Sequence, residues 1–273
     1  MIDRRAADPA RIVKRLNGEM LKVELHTHTG DDPIDTIPHS TLDLIDRAAA
    51  LGYHALAITL HEKQLDLRRF RAYAAERGIV LIPGVERTIE GSHVLLLNFR
   101  SGADELRTFE DLARLKARQR GLVIAPHPFF PHSSCLGRDL GRHADLFDAV
   151  ERNAMYTRLV DFNRPAVRWA ARHGKPVVGN GDVHRLLQLG STYSLVDAAP
   201  DPDAICEAVA AGRVQVQSRP LTSIDAARIV AAMMLGYEGG VAVSDTEHAC
   251  PTRDALAPSI GGLRISSGDI SQS

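Results

Sequence analysis

Val23-Glu24-Leu25-His26-Thr27-His28 ends an apolar stretch with two imidazoles set two residues apart. In extended chain successive side chains alternate faces, so His26 and His28 point the same way and can grip one metal ion. Gly181-Asp182-Val183-His184 repeats the spacing just after the apolar run 176–179. Two chelating pairs at matching strand ends, far apart in sequence, predict a barrel whose strand tips gather around a metal centre.

Between these pairs short apolar runs alternate with amphipathic ones, the pattern of an α/β fold with a largely parallel sheet. Strands are expected at 23–26, 55–59, 80–82, 93–98, 122–125, more weakly at 149–151, and at 176–179. Two further short strands follow at 194–196 and 213–217. Ser40 with Asp43 three residues on reads as a helix start, and Gly52 as its stop. Other helices are expected over 65–77, 104–120, 158–173 and 202–211, with Pro165 either starting a second segment or kinking the third of these. Leu221, Ile224, Ile229, Met233 and Met234 mark a final helix whose apolar stripe is expected to pack on the barrel, with a partner surface as the alternative. From 236 onward Gly, Ser and Asp dominate and periodicity is lost. The expected organisation is therefore an extension at 1–20, a barrel domain at 21–235 and a poorly ordered tail at 236–273.

The chain has 273 residues, 44% hydrophobic and 25% charged, enough to bury a sizeable core. Lys+Arg 33 against Asp+Glu 34 leaves a formal charge of -1, so no global field advertises a membrane or nucleic-acid partner. With 5% aromatic residues there is also no obvious platform for a nucleic-acid strand. Cys135, Cys206 and Cys250 lack zinc-ribbon or Cys-x-x-Cys spacing, and their odd number argues against a disulfide framework. The first residues lack the apolar core of a signal peptide, and no apolar run is long enough to span a bilayer. A cytoplasmic location is expected.

The remaining polar residues of interest also fall where a strand hands over to a loop. His61 follows Ala57-Ile58-Thr59-Leu60, Glu86 follows Ile82-Pro83-Gly84-Val85, His93 opens a strand, and His127 follows Val123-Ile124-Ala125-Pro126. Imidazole and carboxylate without thiolate suit zinc, manganese or iron. With both pairs included, the set exceeds what one tetrahedral site uses, which implies two or three divalent ions.

In order and wording these segments resemble the polymerase and histidinol phosphatase family, the PHP domain, over residues 21–190. The likeness rests on His26-Thr27-His28-Thr29, Ala57-Ile58-Thr59-Leu60-His61, Pro83-Gly84-Val85-Glu86, His93, Ala125-Pro126-His127-Pro128 and Gly181-Asp182-Val183-His184. It implies a distorted seven-stranded β/α barrel, TIM-like in outline, with a two- or three-metal centre that hydrolyses phosphate esters. Carried over, His26, His28, Glu86 and Asp182 hold one ion, Glu86 bridges to a second held by His93 and His127, and His61 and His184 hold a third. Two departures stand out. Leu60 replaces an aspartate usual before His61, which would loosen that histidine or change its basicity. The acid or histidine usual shortly after His-x-His has four contenders, Asp31, Asp32, Asp35 and His39; counting back from the helix at Ser40 favours Asp35.

The expected chemistry follows from charge. A phosphate ester is anionic and repels nucleophiles, whereas clustered divalent ions generate hydroxide and clamp the reacting oxygens. A hydroxide bridging the Glu86-linked ions would attack phosphorus, with Glu86, Asp182 and His184 as the catalytic groups and a small phosphorylated metabolite or nucleotide as substrate. Arg152 and Arg185 are candidate phosphate clamps, with a surface role as the alternative for each. Competing readings are an amidohydrolase-type hydrolase and a non-catalytic metal-stabilised PHP module, the latter supported by Leu60. His54, His132, His143, His173 and His248 read as structural, the 131–135 loop as bordering the substrate, and Glu62 with Lys63 as a helix-start charge pair. Oligomeric state is left open.

Overall fold

The computed structural model of the protein describes residues 20–235. The expected extension (Met20 apart) and tail lie outside the described residues, as do His248, Cys250 and the side chains of Met233 and Met234. Nine strands form one mixed sheet: β1 Leu21–Glu24, β2 Ala55–Ile58, β3 Val80–Ile89, β4 Ser92–Leu97, β5 Leu122–Ala125, β6 Ala149–Asn153, β7 Val177–Asn180, β8 Thr192–Val196 and β9 Val214–Ser218. Their order is β7-β6-β5-β4-β3-β2-β1-β8-β9. The seven expected barrel strands are β1 to β7, and the two later strands extend the β1 edge to give nine.

β8 runs against both β1 and β9, and within β1 to β7 the sheet is less parallel than expected for a local reason. Residues 80–89 form one long strand that turns back through Glu90 (φ 49°) and Gly91 (φ 85°). Two consecutive left-handed residues make the tight hairpin turn that matches sheet twist, and a two-residue loop joins only antiparallel strands. β4 therefore runs against β3, and β5 runs against β4. β5 thus regains the direction of β1, β2 and β3, and β6 and β7 keep it. The reversal has a functional consequence. His93 opens the antiparallel strand, so it lies at the same rim as the residues that follow the parallel ones, paired with Thr88.

The sheet curls into a nearly closed barrel. At the seam Ser194 Oγ accepts from Gly179 N (2.8 Å) and donates to Gly179 O (3.1 Å), so a side chain takes over where the backbone ladder stops. Glycine is required there: a Cβ on residue 179 would fall 2.8 Å from Tyr193 O. Apolar side chains of the strands and of the segments packed on them, among them Ile82, Leu95, Phe99, Phe147, Leu44 and Ile58, are fully buried. Each such burial contributes about 1.5–3 kcal/mol.

The helices follow their caps. Thr41–Ala50 starts at Ser40 with a reciprocal Ser40–Asp43 box, as the sequence suggests. The helix expected from 104 begins instead at Phe109, because Thr108 and Asp111 form a second box and Leu106 is extended. The 65–77 segment is a 3-10 turn, Leu67–Arg69, followed by the short helix Arg71–Glu76. Pro165 sits in the first turn of Arg164–His173, where its missing N–H costs nothing, so it starts that helix. In the final helix, Ser223–Leu235, Ile229 is buried but Ile224 is 66% exposed, so the stripe packs only in part. No helix among the described residues is long and apolar enough to cross a membrane. Cys135 and Cys206 are free.

Candidate metal centre

Glu86 is the hub. Its side chain is 1% exposed, and its two oxygens face imidazoles from four strand ends. Oε2 lies 3.2 Å from His26 Nε2, 3.3 Å from His28 Nε2 and 3.2 Å from His61 Nε2. Oε1 lies 2.8 Å from His93 Nδ1 and 3.3 Å from His127 Nε2. Asp182 closes the cluster, with Oδ1 3.3 Å from His26 Nε2, 3.6 Å from His28 Nε2 and 3.3 Å from His184 Nδ1. Ligand atoms come within 4.8 Å of one another in four overlapping triads: His26, His28 and Asp182; His26, Glu86 and His127; His61, Glu86 and His93; His28, His61 and His184.

The local chain explains why these groups converge. His28 N donates to Val183 O (3.0 Å) and Val183 N to His26 O (3.2 Å), which sets the two chelating pairs side by side. Thr27, between the histidines, points away and ties their strand to β2 through Ala57 O and Thr59 Oγ1. The parallel bridge His61–Glu86 brings the β2 end level with the hub. Two residues adopt left-handed backbone to aim their side chains inward, His127 at φ 26° and Asp182 at φ 51°. Such conformations cost about 1–3 kcal/mol and cluster at functional sites.

The charge distribution suits cations. Burial opposes charge on His26, yet Asp182, Glu86 and Glu151 hold its pKa well above the ordinary imidazole value. Against the same desolvation, Asp32 and Glu86 lift His61 to about 9, and Asp182 and Asp35 lift His184 to about 10. The converse holds for Glu86 and Asp182: burial would raise them, but the surrounding imidazoles keep them well below the carboxylate range. Three buried atoms aimed into the cluster, His28 Nε2, His93 Nδ1 and Asp182 Oδ1, make no hydrogen bond. An unsatisfied buried polar group costs about 1–3 kcal/mol, a cost that metal coordination removes. The donor set and its orphaned atoms fit divalent ions.

A family model described as PHP-associated matches residues 161–214, which include Asp182 and His184. No curated protein sequence matches the chain. Among solved structures, a two-domain protein from Bacteroides vulgatus containing a predicted PHP-like metal-dependent phosphoesterase aligns with a TM-score of 0.58 at 19% identity, over 74% of this chain and 66% of that one. PsfC from Pseudomonas syringae aligns with a TM-score of 0.58 at 18% identity, over 80% of this chain and 98% of that one. The fold is PHP-like.

On this PHP-like frame the structure brings His26, His28, His61, Glu86, His93, His127, Asp182 and His184 together. Asp35, favoured after His-x-His, reaches His184 Nε2 (3.2 Å) from a side chain 46% exposed, and stands 4.0 Å from His61 Nδ1. Asp32 lies deeper. Its buried Oδ2 is 3.0 Å from both His28 Nδ1 and His61 Nδ1 and also accepts His61 N. This revises the expected effect of Leu60. Leu60 faces the apolar core, where alternation sends the neighbour of His61, and Asp32 supplies His61 with a carboxylate from the loop instead. Asp31 pairs with Arg69, and His39 Nε2 bonds His28 O.

The two arginines are not brought to the cluster. Arg152 follows inward-facing Glu151 on β6, so the pleat turns it to the other face. There it bonds Ser218 Oγ and stacks over Tyr156. Arg185 Nη1 donates to His184 O and Nη2 to Ala232 O, which engages it with backbone rather than with the metal site. Glu62 pairs with Arg87 rather than Lys63. Of the histidines read as structural, His143 stacks on Phe109, His173 on Trp169, His132 bonds Ser134 Oγ and His54 Nδ1 accepts Lys22 N.

Sequence reasoning missed a buried layer beneath the cluster. Glu151 Oε2 is 2.8 Å from His26 Nδ1 and accepts Asn180 Nδ2, while its Oε1 accepts Asn153 Nδ2 and His127 N. Asn153 Nδ2 also reaches Asp182 Oδ2 (3.1 Å). Glu24 Oε1 accepts His26 N and Gly181 N, and burial pushes its carboxyl up to about 8. One signal was available: Glu24 shares the alternation of His26 and His28, and Glu151 and Asn153 share that of β6.

Proposed function

We propose that this protein is a metal-dependent phosphoesterase that hydrolyses a phosphate ester of a small metabolite or nucleotide. The observation that carries this reading is Glu86, buried, with one oxygen facing three imidazoles and the other facing two. A single carboxylate so placed is suited to join two cation sites a few ångströms apart. Zinc, manganese or iron, two or three ions in number, would be held by these imidazoles and carboxylates and would lower the pKa of water and offset the charge of the ester.

The chain's own part is positioning. His26, His28 and Asp182 form one side of the cluster and His93 and His127 the other. The far nitrogens of His26 and His28 are fixed by Glu151 and Asp32, which sets tautomer and ring orientation. At the leaving oxygen either His184, whose Nε2 faces Asp35 at 3.2 Å, or a third ion held by His61 and His184 would act. The non-catalytic alternative loses its support, because Asp32 serves the histidine that Leu60 was expected to loosen.

The test is metal analysis of the purified chain followed by a panel of phosphorylated metabolites and short oligonucleotides with manganese or zinc. Hydrolysis should require metal and fall in both His28→Ala and Glu86→Ala by more than the roughly 100-fold upper end of an orienting-residue loss. Activity that survives both changes defeats the reading.

A further inference from the structure

Beside His127 the rim of the site becomes aromatic. The Phe130 ring centroid lies 6.2 Å from that of His127, and Phe162 lies 5.6 Å from Phe130. Phe162 is 40% exposed, and Leu159 and Val160 on the same loop are 88% and 50% exposed. Large apolar side chains grouped in water forfeit burial energy, and such a patch next to a polar site marks a binding surface.

Both rings are held by rigid chain. The Phe130 loop is pinned by Phe130 N to His127 O (3.1 Å), His93 N to Ser134 O (2.7 Å) and Gly137 N to Pro128 O (2.8 Å). Phe162 precedes Asn163, whose buried side chain exchanges two hydrogen bonds with the Asn153 backbone: Asn153 N to Oδ1 at 2.8 Å and Nδ2 to Asn153 O at 3.0 Å. Asn153 in turn touches Asp182. The exposed ring is thus tied through two asparagines to a metal-centre carboxylate. A ring ordered before its ligand arrives loses little entropy on binding. The charged groups next to Phe162 engage one another, with Asp161 Oδ2 3.9 Å from Arg152 Nη2 and 3.6 Å from Arg164 Nε, which leaves the rings as the groups free to meet a ligand.

We propose that the Phe130–Phe162 pair seats the organic half of the ester and that this half carries a flat aromatic ring; the inference rests on the phosphoesterase reading and names its substrate class. The ring would belong to an aryl alcohol or to a nucleobase, two sources with one recognition chemistry.

The test measures binding of non-hydrolysable pairs to the full, manganese-loaded chain by calorimetry: 2-phenylethylphosphonate against ethylphosphonate, and the phosphonate isostere of adenosine 5′-phosphate, with CH2 in place of the 5′ ester oxygen, against the same isostere of ribose 5-phosphate. The ringed member of at least one pair should bind about tenfold more tightly, as expected for one well-seated aromatic contact. The pair that shows the preference identifies the source. Phe162→Ala should reduce the ratio to within about twofold and Phe162→Tyr should keep it. Phe130→Leu reads the same ratio from the other ring should the alanine variant fail to fold. Equal affinities in both pairs, or a ratio untouched by Phe162→Ala, overturns the proposal. A ring preference without hydrolysis of any ester defeats the phosphoesterase reading and leaves the seat standing; hydrolysis without ring preference defeats the seat alone.

Discussion

His26-Thr27-His28 and Asp182-Val183-His184 share one spacing and lie side by side, yet the chain holds them in opposite ways. The first pair continues an extended strand, and the pleat alone aims both rings. Each ring has its second nitrogen occupied by a buried carboxylate, Glu151 for His26 and Asp32 for His28. The second pair follows a backbone that has left the strand, with Asp182 at φ 51°. Gln188 holds it, with Nε2 donating to Asp182 O and Oε1 accepting His184 N. His184 turns Nδ1 inward to Asp182 and Nε2 outward to half-exposed Asp35. The same chelating motif can therefore be aimed by regular structure or by local strain, and the two are open to different failures.

Substitutions can break this contrast in order of expected size. Asp182→Gly and Asp182→Ala should both lose more than about 100-fold in activity, since each removes a carboxylate facing three imidazoles. They should differ in thermal stability: glycine tolerates the left-handed backbone, so Asp182→Gly should be about 1 kcal/mol more stable than Asp182→Ala. At position 28 the order should reverse by about 0.5–1 kcal/mol, because glycine weakens extended chain. Equal ranking at both positions would refute the contrast between pleat and strain.

Glu151→Gln should come next, with metal affinity down about 10–100-fold in a chelator competition, since an amide cannot hold the His26 tautomer in the same way. Gln188→Ala should cost less, about 1 kcal/mol of stability in a denaturant melt, through loss of hydrogen bonds to Asp182 O and His184 N. A larger loss of metal affinity in Gln188→Ala than in Glu151→Gln would mean that the strained pair, and not the pleated one, organises the centre. Arg152→Ala is expected to be the mildest change, leaving KM for a phosphoester within about twofold, since its guanidinium lies against Ser218 and Tyr156. A tenfold rise in KM would restore it as a phosphate clamp.

Much of this fold is legible in the chain because its signals are local. Strand positions follow from apolar runs, and the limits of the first helix from Ser40 and Gly52. The hairpin at Glu90-Gly91 was overlooked because a short apolar run at 80–82 hides a ten-residue strand that continues through polar Glu86 and Arg87. The ligands could be read because imidazoles at strand ends are rare and conspicuous. Their supports could not. Asp32, Glu151, Asn153 and Asn180 are ordinary polar residues whose meaning comes only from what they face across the barrel. The arginines misled for the same reason: Arg152 and Arg185 stand next to site residues in sequence, but side-chain direction and backbone partners carry them elsewhere.

The sequence by itself determined that strands alternate with helices and that imidazoles and carboxylates fall at the strand ends, because pleat and capping act over a few residues. Only the tertiary structure decided which carboxylate orients which imidazole and that an aromatic pair borders the cluster. Those relations join segments separated by up to 150 residues or so, and only the path of the closed sheet sets the distances between them.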